Sequence, residues 1–195
     1  DLGYFTVFQM VYPFETKAFE TKKGEISMPF RTRFGYHIIE VSDKRKAQGE
    51  IKVAHIMISV PKDSDENAKK EAETKINDIY NKLMQGDDFS ELAKEFSDDK
   101  GSAKKGGELN WFGTGRMVPE FEIASFALEN NGDISKPAKT AFGWHIIKRI
   151  DKKEIDDFES KKTHIKNKLS RDARADKSRK SVINRLKKEY NLKVN

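Results

Sequence analysis

Residues 142–147 read Phe-Gly-Trp-His-Ile-Ile, and residues 34–39 read Phe-Gly-Tyr-His-Ile-Ile. Three further pairs of segments match in the same order along the chain: 2–5 with 109–112, 10–15 with 117–122, and 24–27 with 132–135. The offset is 107 residues at first and 108 residues after a one-residue gap. A match this long and this orderly indicates a duplicated structural unit.

The two copies differ in what precedes them. Residues 50–107 lead into the second copy, and the first copy has no counterpart of this segment in the sequence. We therefore expect the chain to open in the middle of a domain. The predicted organisation is the C-terminal half of a first unit in residues 1–46, a complete unit in 47–153 and a basic helical segment in 154–195.

Composition limits the classes of function. Hydrophobic and charged residues each make up 36% of the chain, and no apolar run approaches the roughly 20 residues that cross a bilayer. The net charge is +6, and the excess lies in residues 154–195, where 13 Lys and Arg stand against 7 Asp and Glu. That segment carries only two aromatic residues, Phe158 and Tyr190, so a solvated helix face is favoured over nucleic-acid binding.

The chain contains no cysteine. This excludes disulfide bonds, a thiolate nucleophile and metal sites with sulfur ligands.

Hydrophobic periodicity predicts an α+β domain in the second unit. Its elements form the order β-α-α-β-α-β-β around a small four-stranded antiparallel sheet. Asp63 or Ser64 is expected to cap the first helix, Gly86 to end it, and Asp88 to cap the second helix. The predicted strands are 52–59, 109–112, 134–137 and 144–150, the predicted helices begin near residues 66, 89 and 119, and residues 97–107 form an ordered glycine-rich loop.

The C-terminal segment has apolar residues at heptad spacing, interrupted by charged residues near Asp172. Two helical segments with a polar break fit this pattern better than one long coiled coil. The sequence does not identify the surface on which they pack.

Two histidines, His55 and His145, lie in the middle of predicted strands. A histidine in such a position is usually a core residue whose nitrogens are hydrogen-bonded. The two strands, however, flank the loop that carries Asp98 and Asp99. Two imidazoles and a carboxylate could also hold a metal, but the large apolar residues among them favour an apolar ligand over an ion.

Residues 50–152 resemble the parvulin-type peptidyl-prolyl cis/trans isomerases almost continuously. The resemblance rests on these segments: Ala54-His55-Ile56, Phe96-Ser97-Asp98-Asp99, Gly106-Gly107-Glu108-Leu109-Asn110-Trp111-Phe112, Met117-Val118-Pro119-Glu120-Phe121, Ser125-Phe126-Ala127-Leu128 and residues 142–147. Residues 1–42 are similar to the second half of the same family domain. Tandem units with helical flanks look like exported bacterial folding factors of the SurA and PrsA type, which implies a periplasmic or otherwise extracytoplasmic location.

The resemblance also implies the roles of individual residues. The family's proline pocket would consist of Leu109, Met117 and Phe121, with Phe142 at its side. Its polar centre would consist of His55, Asp99, Thr140 and His145. Some parvulins have cysteine at the position of Asp99 and serine at that of Phe142, and this chain departs from both.

Phosphate-selective members carry a basic cluster between the first strand and the first helix. Here residues 60–66 contain Lys62 and three acidic residues, which would repel a phosphate. Phosphopeptide specificity is therefore not expected.

Rotation about an X-Pro bond breaks no covalent bond but faces a barrier of about 20 kcal/mol. The predicted enzyme holds the proline ring in an apolar recess and favours the twisted amide with its polar groups, without a cofactor or a metal. Its partners would be unfolded or proline-containing polypeptides, such as outer-membrane or secreted clients. The alternative is a holdase chaperone that binds unfolded chains without catalysis.

The incomplete first copy is expected to be inactive and to expose a sheet edge and an apolar face.

Overall fold

The computed structural model describes residues 1–190 and divides the chain into two compact units. The first unit contains Asp1–Tyr4 and Ala47–Ile155, and the second contains Phe5–Lys46 and the segment from Asp156 onward. The three segments expected from the sequence (1–46, 47–153 and 154–195) are not the same as these two units, and the three-part organisation stays a prediction. Residues 191–195, the end of the predicted basic segment, lie outside the described residues.

The elements follow in this order: α1 (Tyr12–Glu20), β1 (Phe30–Thr32), β2 (Gly35–His37), β3 (Glu50–Ser59), α2 (Glu66–Gln85), α3 (Phe89–Phe96), α4 (Lys100–Ala103), β4 (Phe112–Gly113), α5 (Pro119–Phe126), β5 (Ala138–Thr140), β6 (Gly143–Lys153), α6 (Phe158–Ser170) and α7 (Ala173–Glu189). None of these helices is both long enough and apolar enough to span a membrane, within the described residues.

The first unit is built on a four-stranded antiparallel sheet in the order β4-β3-β6-β5. The long strands β3 and β6 form its centre, with Met57 opposite His145 and His55 opposite Ile147. With the helices around it, this sheet confirms the predicted α+β fold and the order of its elements, to which the structure adds the short helix α4.

Alternation along β3 gives the sheet two apolar faces. Ile56 and Ile58 point to a core that they share with Ile76 of α2 and Leu92 of α3. Val53 points to the opposite face, in a second core that also contains Ile147, Phe112 and Phe121. The sheet is therefore covered by α2 and α3 on one side and by α5 on the other.

Capping side chains set the helix boundaries. The carboxylate of Asp65 accepts a hydrogen bond from Ala68 N–H at 2.7 Å, so Asp65 caps α2 and the predicted caps Asp63 and Ser64 were wrong. Gly86 ends α2 in the left-handed conformation, with φ 103°. Asp88 caps α3 through Glu91 N–H at 2.9 Å, as the sequence predicts.

Two short strands lie further along the chain than predicted. Ile134 forms only an isolated bridge with Lys148, because the Ser135 hydroxyl accepts the Ile147 N–H in place of a backbone carbonyl. The regular strand begins at Ala138. Likewise, Glu108 forms one bridge with Ala54, and the ladder resumes only at Phe112.

The second unit combines the first copy of the repeat with the C-terminal helices. Strands β1 and β2 form a two-stranded antiparallel hairpin. Its core includes an aromatic cluster in which Phe14 contacts Phe5, Phe30 and His37, with ring centroids 5.5–6.3 Å apart. Helices α6 and α7 are separated by Arg171 and Asp172, so the predicted polar break between two helical segments is confirmed.

A buried ion pair joins α1 to α7 inside this second unit. Glu15 is 4% exposed, and one of its carboxylate oxygens accepts a hydrogen bond from Arg174 while the other accepts Phe8 N–H at 2.7 Å. The Arg174 guanidinium also lies over the rings of Phe8 and Tyr12, at 4.7 and 4.9 Å from their centroids. Through this contact, α7 packs at a defined position against α1 of the first copy.

Candidate active site

Two buried histidines occupy one face of the central strand pair. His55 of β3 and His145 of β6 are 6% and 4% exposed. His145 lies opposite Met57, and positions 55 and 57 point to the same face because side chains alternate along a strand. The two imidazoles therefore meet across the strand boundary, with 3.4 Å between their Nδ1 atoms.

The imidazoles meet edge to edge. Their planes are only 12° apart, and their centroids are 5.6 Å apart. The centroid separation exceeds the Nδ1–Nδ1 distance by about the width of one imidazole ring, so both nitrogens lie near the line that joins the centroids. This geometry suits an N–H···N hydrogen bond rather than face-to-face stacking.

Polar residues at both ends extend the histidine pair into a chain. His55 Nε2 lies 2.8 Å from Asp99 Oδ2, and His145 Nε2 lies 2.9 Å from Thr140 Oγ1. The Thr140 hydroxyl oxygen in turn accepts Phe142 N–H at 3.1 Å. The structure thus brings together all four residues that the sequence predicts for the polar centre.

The donors and acceptors of this chain follow from Asp99. An ionised carboxylate only accepts, so His55 Nε2 carries a proton and, in neutral His55, Nδ1 is an acceptor. His145 must then donate from Nδ1 and accept at Nε2 from the Thr140 hydroxyl. Every hydrogen bond between Thr140 and Asp99 consequently points toward the carboxylate.

The shifts in pKa agree with these protonation states. The pKa of His145 is lowered to about 4, mainly by burial and to a smaller extent by the charge on protonated His55, while Asp99 acts in the opposite direction. Burial also lowers the pKa of His55, despite the hydrogen bond and the negative charge of Asp99. Both imidazoles are therefore neutral at pH 7.

Asp99 is held ionised. Burial on its own would raise the pKa of this carboxyl, but hydrogen bonds from Ser102, His55 and Gly101 N–H, together with the charge that His55 carries once acid protonates it, lower it to about 2. Its side chain is 31% exposed, so the charged end of the chain of hydrogen bonds lies at the surface of the site.

Phe121 supplies the apolar side of the site. Its ring is 4% exposed and meets both imidazoles nearly perpendicularly, at 5.5 Å from His55 and 5.3 Å from His145. Leu109 and Met117 are partly buried against the same apolar cluster. Three of the four residues predicted for the proline pocket thus belong to one apolar cluster, and within it Phe121 contacts both imidazoles.

Phe142, the fourth predicted pocket residue, is less enclosed. Its ring is 59% exposed, and it joins the site through its backbone N–H to Thr140. Its carbonyl accepts Val60 N–H at 3.0 Å, which fixes the turn before β6 to the end of β3.

Two buried polar residues at the site were missed in the sequence. The Ser102 hydroxyl contacts both Asp99 and His55, and Glu122 Oε2 accepts Gly115 N–H at 2.6 Å beside the Met117 segment. The repeat could have indicated Glu122, because Glu15 makes the same bond to Phe8, the counterpart of Gly115. The sequence does not indicate Ser102, because the glycine-rich residues 97–107 predict a loop, whereas residues 100–103 form the short helix α4.

The geometry does not resemble a metal site. Among residues 1–190, no three His, Asp or Glu side chains are arranged so that they could hold an ion. The four polar residues instead present a row of hydrogen bonds next to an aromatic ring.

Comparisons with protein families agree with this geometry. A family described as "PPIC-type PPIASE domain" matches residues 41–153, and a second family with the same description matches residues 1–43. The two matches correspond to the second and the first copy of the repeat.

Among curated proteins, the chain is similar to Chaperone SurA of Pseudomonas fluorescens, with 35% identity over 163 residues, which is 82% of this chain and 37% of the relative. It is also similar to Foldase protein PrsA 3 of Bacillus anthracis, with 36% identity over 90% of this chain and 58% of the relative. The chain thus spans little more than a third of the SurA chaperones that it matches.

Among solved structures, the chain resembles a peptidylprolyl isomerase, PrsA, from Bacillus anthracis. The TM-score is 0.50 at 35% identity, and the match covers 76% of this chain and 63% of that one.

Proposed function

The chain belongs to the PPIC-type, or parvulin, family of peptidyl-prolyl cis/trans isomerases, and on this premise we propose that it catalyses rotation about X-Pro bonds in unfolded polypeptides. The observation that carries the proposal is the row of hydrogen bonds from Thr140 through His145 and His55 to Asp99, set against the ring of Phe121. The proposed catalysis is non-covalent.

The apolar part of the site suits a proline ring. The ring of Phe121 contacts both imidazoles, and the partly buried side chains of Met117 and Leu109 pack against the same apolar cluster. Burying the ring there brings the X-Pro amide next to the polar groups and removes water from it. In the twisted amide, resonance is lost and the nitrogen becomes more basic, so an ordered set of hydrogen bonds can favour it over the planar amide.

The direction of the hydrogen bonds makes the site preorganised. Because both imidazoles are neutral and each donates toward Asp99, the polar groups need not reorient when the amide twists. We assign orientation and electrostatic stabilisation to His55, His145, Thr140 and Asp99, and not proton transfer to the substrate.

The segment between β3 and α2 supports a substrate without phosphate. Of its acidic residues, Asp65 caps α2, and Glu66 pairs with Lys69 at 2.7 Å. Lys62 is exposed. Within residues 60–66, three acidic residues stand against Lys62, which disfavours a bound phosphate.

A test of the proposal measures cis/trans exchange in short X-Pro peptides by NMR with the full chain, and repeats it with Asp99→Ala and with a phosphoserine-proline peptide. We expect faster exchange with the wild type, a large loss with Asp99→Ala, and no preference for the phosphorylated peptide. Uncatalysed rates across a panel of X-Pro peptides, from a protein that is folded by circular dichroism, would refute the isomerase proposal.

A holdase function is the second candidate, supported by the second unit. Ile26, Tyr36 and Ile38 of the first copy are 67%, 79% and 65% exposed, which leaves apolar surface for unfolded chains. This activity is measured as suppressed aggregation of an unfolded protein that contains no proline. Suppression that survives Asp99→Ala would separate it from isomerase activity.

We further propose that the chain acts outside the cytoplasm on secreted or outer-membrane clients, because it resembles exported folding factors of the SurA and PrsA type. Fractionation of cells that express the complete native gene tests this location. Recovery in the cytoplasmic fraction would contradict it.

A further inference from the structure

Ser102 is held in place by backbone hydrogen bonds that lead to His55. It lies in α4 and is 5% exposed. Its carbonyl accepts the N–H groups of Lys105 at 2.8 Å and Gly107 at 3.0 Å, and the Gly107 carbonyl accepts His55 N–H at 2.9 Å. The main chain at Ser102 is therefore fixed relative to the strand that carries His55.

The side chain of Ser102 reaches the point where Asp99 and His55 meet. Its Oγ lies 2.5 Å from Asp99 Oδ2 and 3.1 Å from His55 Nε2. A hydroxyl has one proton, and the nearer partner is a carboxylate oxygen that only accepts, so Ser102 donates to Asp99. The His55 Nε2–H then points between Asp99 Oδ2 and Ser102 Oγ.

The Asp99 carboxylate has few other restraints. Its second oxygen, Oδ1, accepts Gly101 N–H at 3.1 Å, and the side chain is partly exposed to water. Without the Ser102 hydroxyl, Oδ2 would be restrained only by the imidazole that it is meant to orient, and water could compete for it.

We propose that Ser102 is a positioning residue: its hydroxyl holds Asp99 Oδ2 against His55 Nε2 and thereby sets the direction of all the hydrogen bonds from Thr140 to Asp99. This inference rests on the proposed isomerase function, but the state of the imidazoles can be measured without activity. Ser102 itself need not touch the substrate.

The experiment compares the wild-type chain with Ser102→Ala and Ser102→Cys. Imidazole ¹⁵N NMR at pH 7 reports which nitrogen of each histidine carries the proton. We expect Nε2–H for His55 and Nδ1–H for His145 in the wild type, and a mixture of tautomers in Ser102→Ala. The thiol of Ser102→Cys keeps nearly the same volume but donates weakly, so an intermediate mixture is expected.

The kinetic expectation is a split between kcat and KM. Ser102→Ala should lower kcat about tenfold, the effect of losing one hydrogen bond to a charged group, with KM nearly unchanged because the proline recess is intact. Ser102→Cys should recover part of kcat.

Ser97→Ala is the matched control. Ser97 is fully buried in the same loop region, but its hydroxyl accepts Met57 N–H at 3.1 Å and contacts neither Asp99 nor His55. This variant should lose stability and keep both the wild-type tautomers and kcat.

Wild-type tautomers in folded Ser102→Ala, or Nδ1–H on His55 in the wild type, would overturn the inference even if no variant were active. The tautomers could also be as expected in the wild type and change only in the Ser102 variants, while the protein shows no isomerase activity. That result would support the role of Ser102 and refute the proposed function.

Discussion

The same sequence motif forms the same local hydrogen bonds in two different surroundings. Thr32 Oγ1 lies 2.7 Å from His37 Nε2 in the first copy, and Thr140 Oγ1 lies 2.9 Å from His145 Nε2 in the second. In both copies, the threonine hydroxyl also accepts the N–H of the phenylalanine two residues on, at 3.1 Å. The motif of about six residues therefore builds one end of the polar row by itself.

The other side of the imidazole differs between the copies. His145 meets His55 through its Nδ1, whereas the ring of His37 packs on Phe14 and Phe30, each at 5.5 Å between centroids. His55 and Asp99 come from residues 50–107, which lie in front of the second copy. The histidine–threonine hydrogen bond therefore forms from local sequence alone. The complete row of hydrogen bonds that ends at Asp99 also requires β3 and the loop that carries Asp99.

The two copies also differ in what covers them. Ile146 is fully buried in the core under α2 and α3, and its counterpart Ile38 is 65% exposed. Conversely, Glu15 of the first copy is paired with Arg174 of α7. In the first copy, α7 thus packs against Glu15, but within residues 1–190 no helices bury Ile38 in the way that α2 and α3 bury Ile146 in the second copy.

Loss of the Arg174 ion pair should have the largest effect and should be confined to the second unit. Arg174→Met leaves Glu15 buried without its cation, which should destabilise this unit by about 3–5 kcal/mol. Both tryptophans, Trp111 and Trp144, lie in the first unit, so fluorescence reports that unit while circular dichroism also follows α6 and α7. Urea titrations should show an early transition by circular dichroism only.

Arg179→Met is the control for this prediction. Arg179 pairs with Asp176 on the exposed side of the same helix, and its loss should cost less than about 0.5 kcal/mol. Equal shifts for the two arginine variants would mean that the Glu15 contact does not anchor α7.

Matched histidine variants test whether only the second copy is catalytic. His145→Ala interrupts the row of hydrogen bonds and should lower kcat/KM for X-Pro exchange about 100-fold, equivalent to about 2.7 kcal/mol. His37→Ala should leave it within about twofold. A comparable loss in both variants would show that the first copy contributes to catalysis.

Acid should destabilise the first unit through His145. In the unfolded chain this histidine titrates near its ordinary pKa of 6.5, whereas in the folded state its pKa is about 4. Between these values the unfolded state binds more protons, so stability falls as the pH falls, by on the order of 2 kcal/mol. Tryptophan-monitored urea midpoints at several pH values measure this slope.

His145→Gln removes this titrating group and should reduce that slope between pH 6.5 and 4, leaving the part that the buried His55 contributes. An unchanged slope would assign the acid sensitivity to other residues of the unit.

The smallest effects concern Gly115 and its counterpart Phe8, which adopt similar left-handed conformations with φ 77° and 68°. Gly115→Ala should destabilise the first unit by about 1 kcal/mol, because a side chain is strained at this φ. Phe8→Gly relieves such strain but loses the contact with Arg174, so a net change of less than about 0.5 kcal/mol is expected in the second unit. Urea titrations of the two variants compare the copies directly, and a large loss for Phe8→Gly would show that the aromatic contact dominates.

The sequence was sufficient for the parts of the site that depend on short-range periodicity. Periodicity placed His55 and His145 in the middle of two strands, and the helix signals Asp88 and Gly86 lie at the predicted helix ends. That the two imidazoles share a face follows from the register between β3 and β6. The resemblance to a family added Asp99 and Thr140.

The remaining features depend on contacts that periodicity does not encode. Ser102 reaches Asp99 only because residues 100–103 coil into a turn of helix, which a glycine-rich stretch does not indicate. The pairing of Glu15 with Arg174 joins residues 159 positions apart, and neither belongs to a recognisable motif. The strand predicted at residues 134–137 begins later, at Ala138, because the Ser135 hydroxyl replaces a backbone carbonyl as the acceptor of Ile147 N–H.

Gly107 shows how a residue without a side chain can constrain the evolution of such a site. A Cβ atom built on it would lie 2.2 Å from the His55 carbonyl oxygen, and its φ is 83°. Any replacement would push the loop of residues 97–107 away from β3 and would move the His55 imidazole out of its hydrogen bonds. In a saturation mutagenesis map, position 107 should therefore be as intolerant as the polar residues themselves, and substitutions there would resemble the loss of a catalytic residue although Gly107 has no side chain.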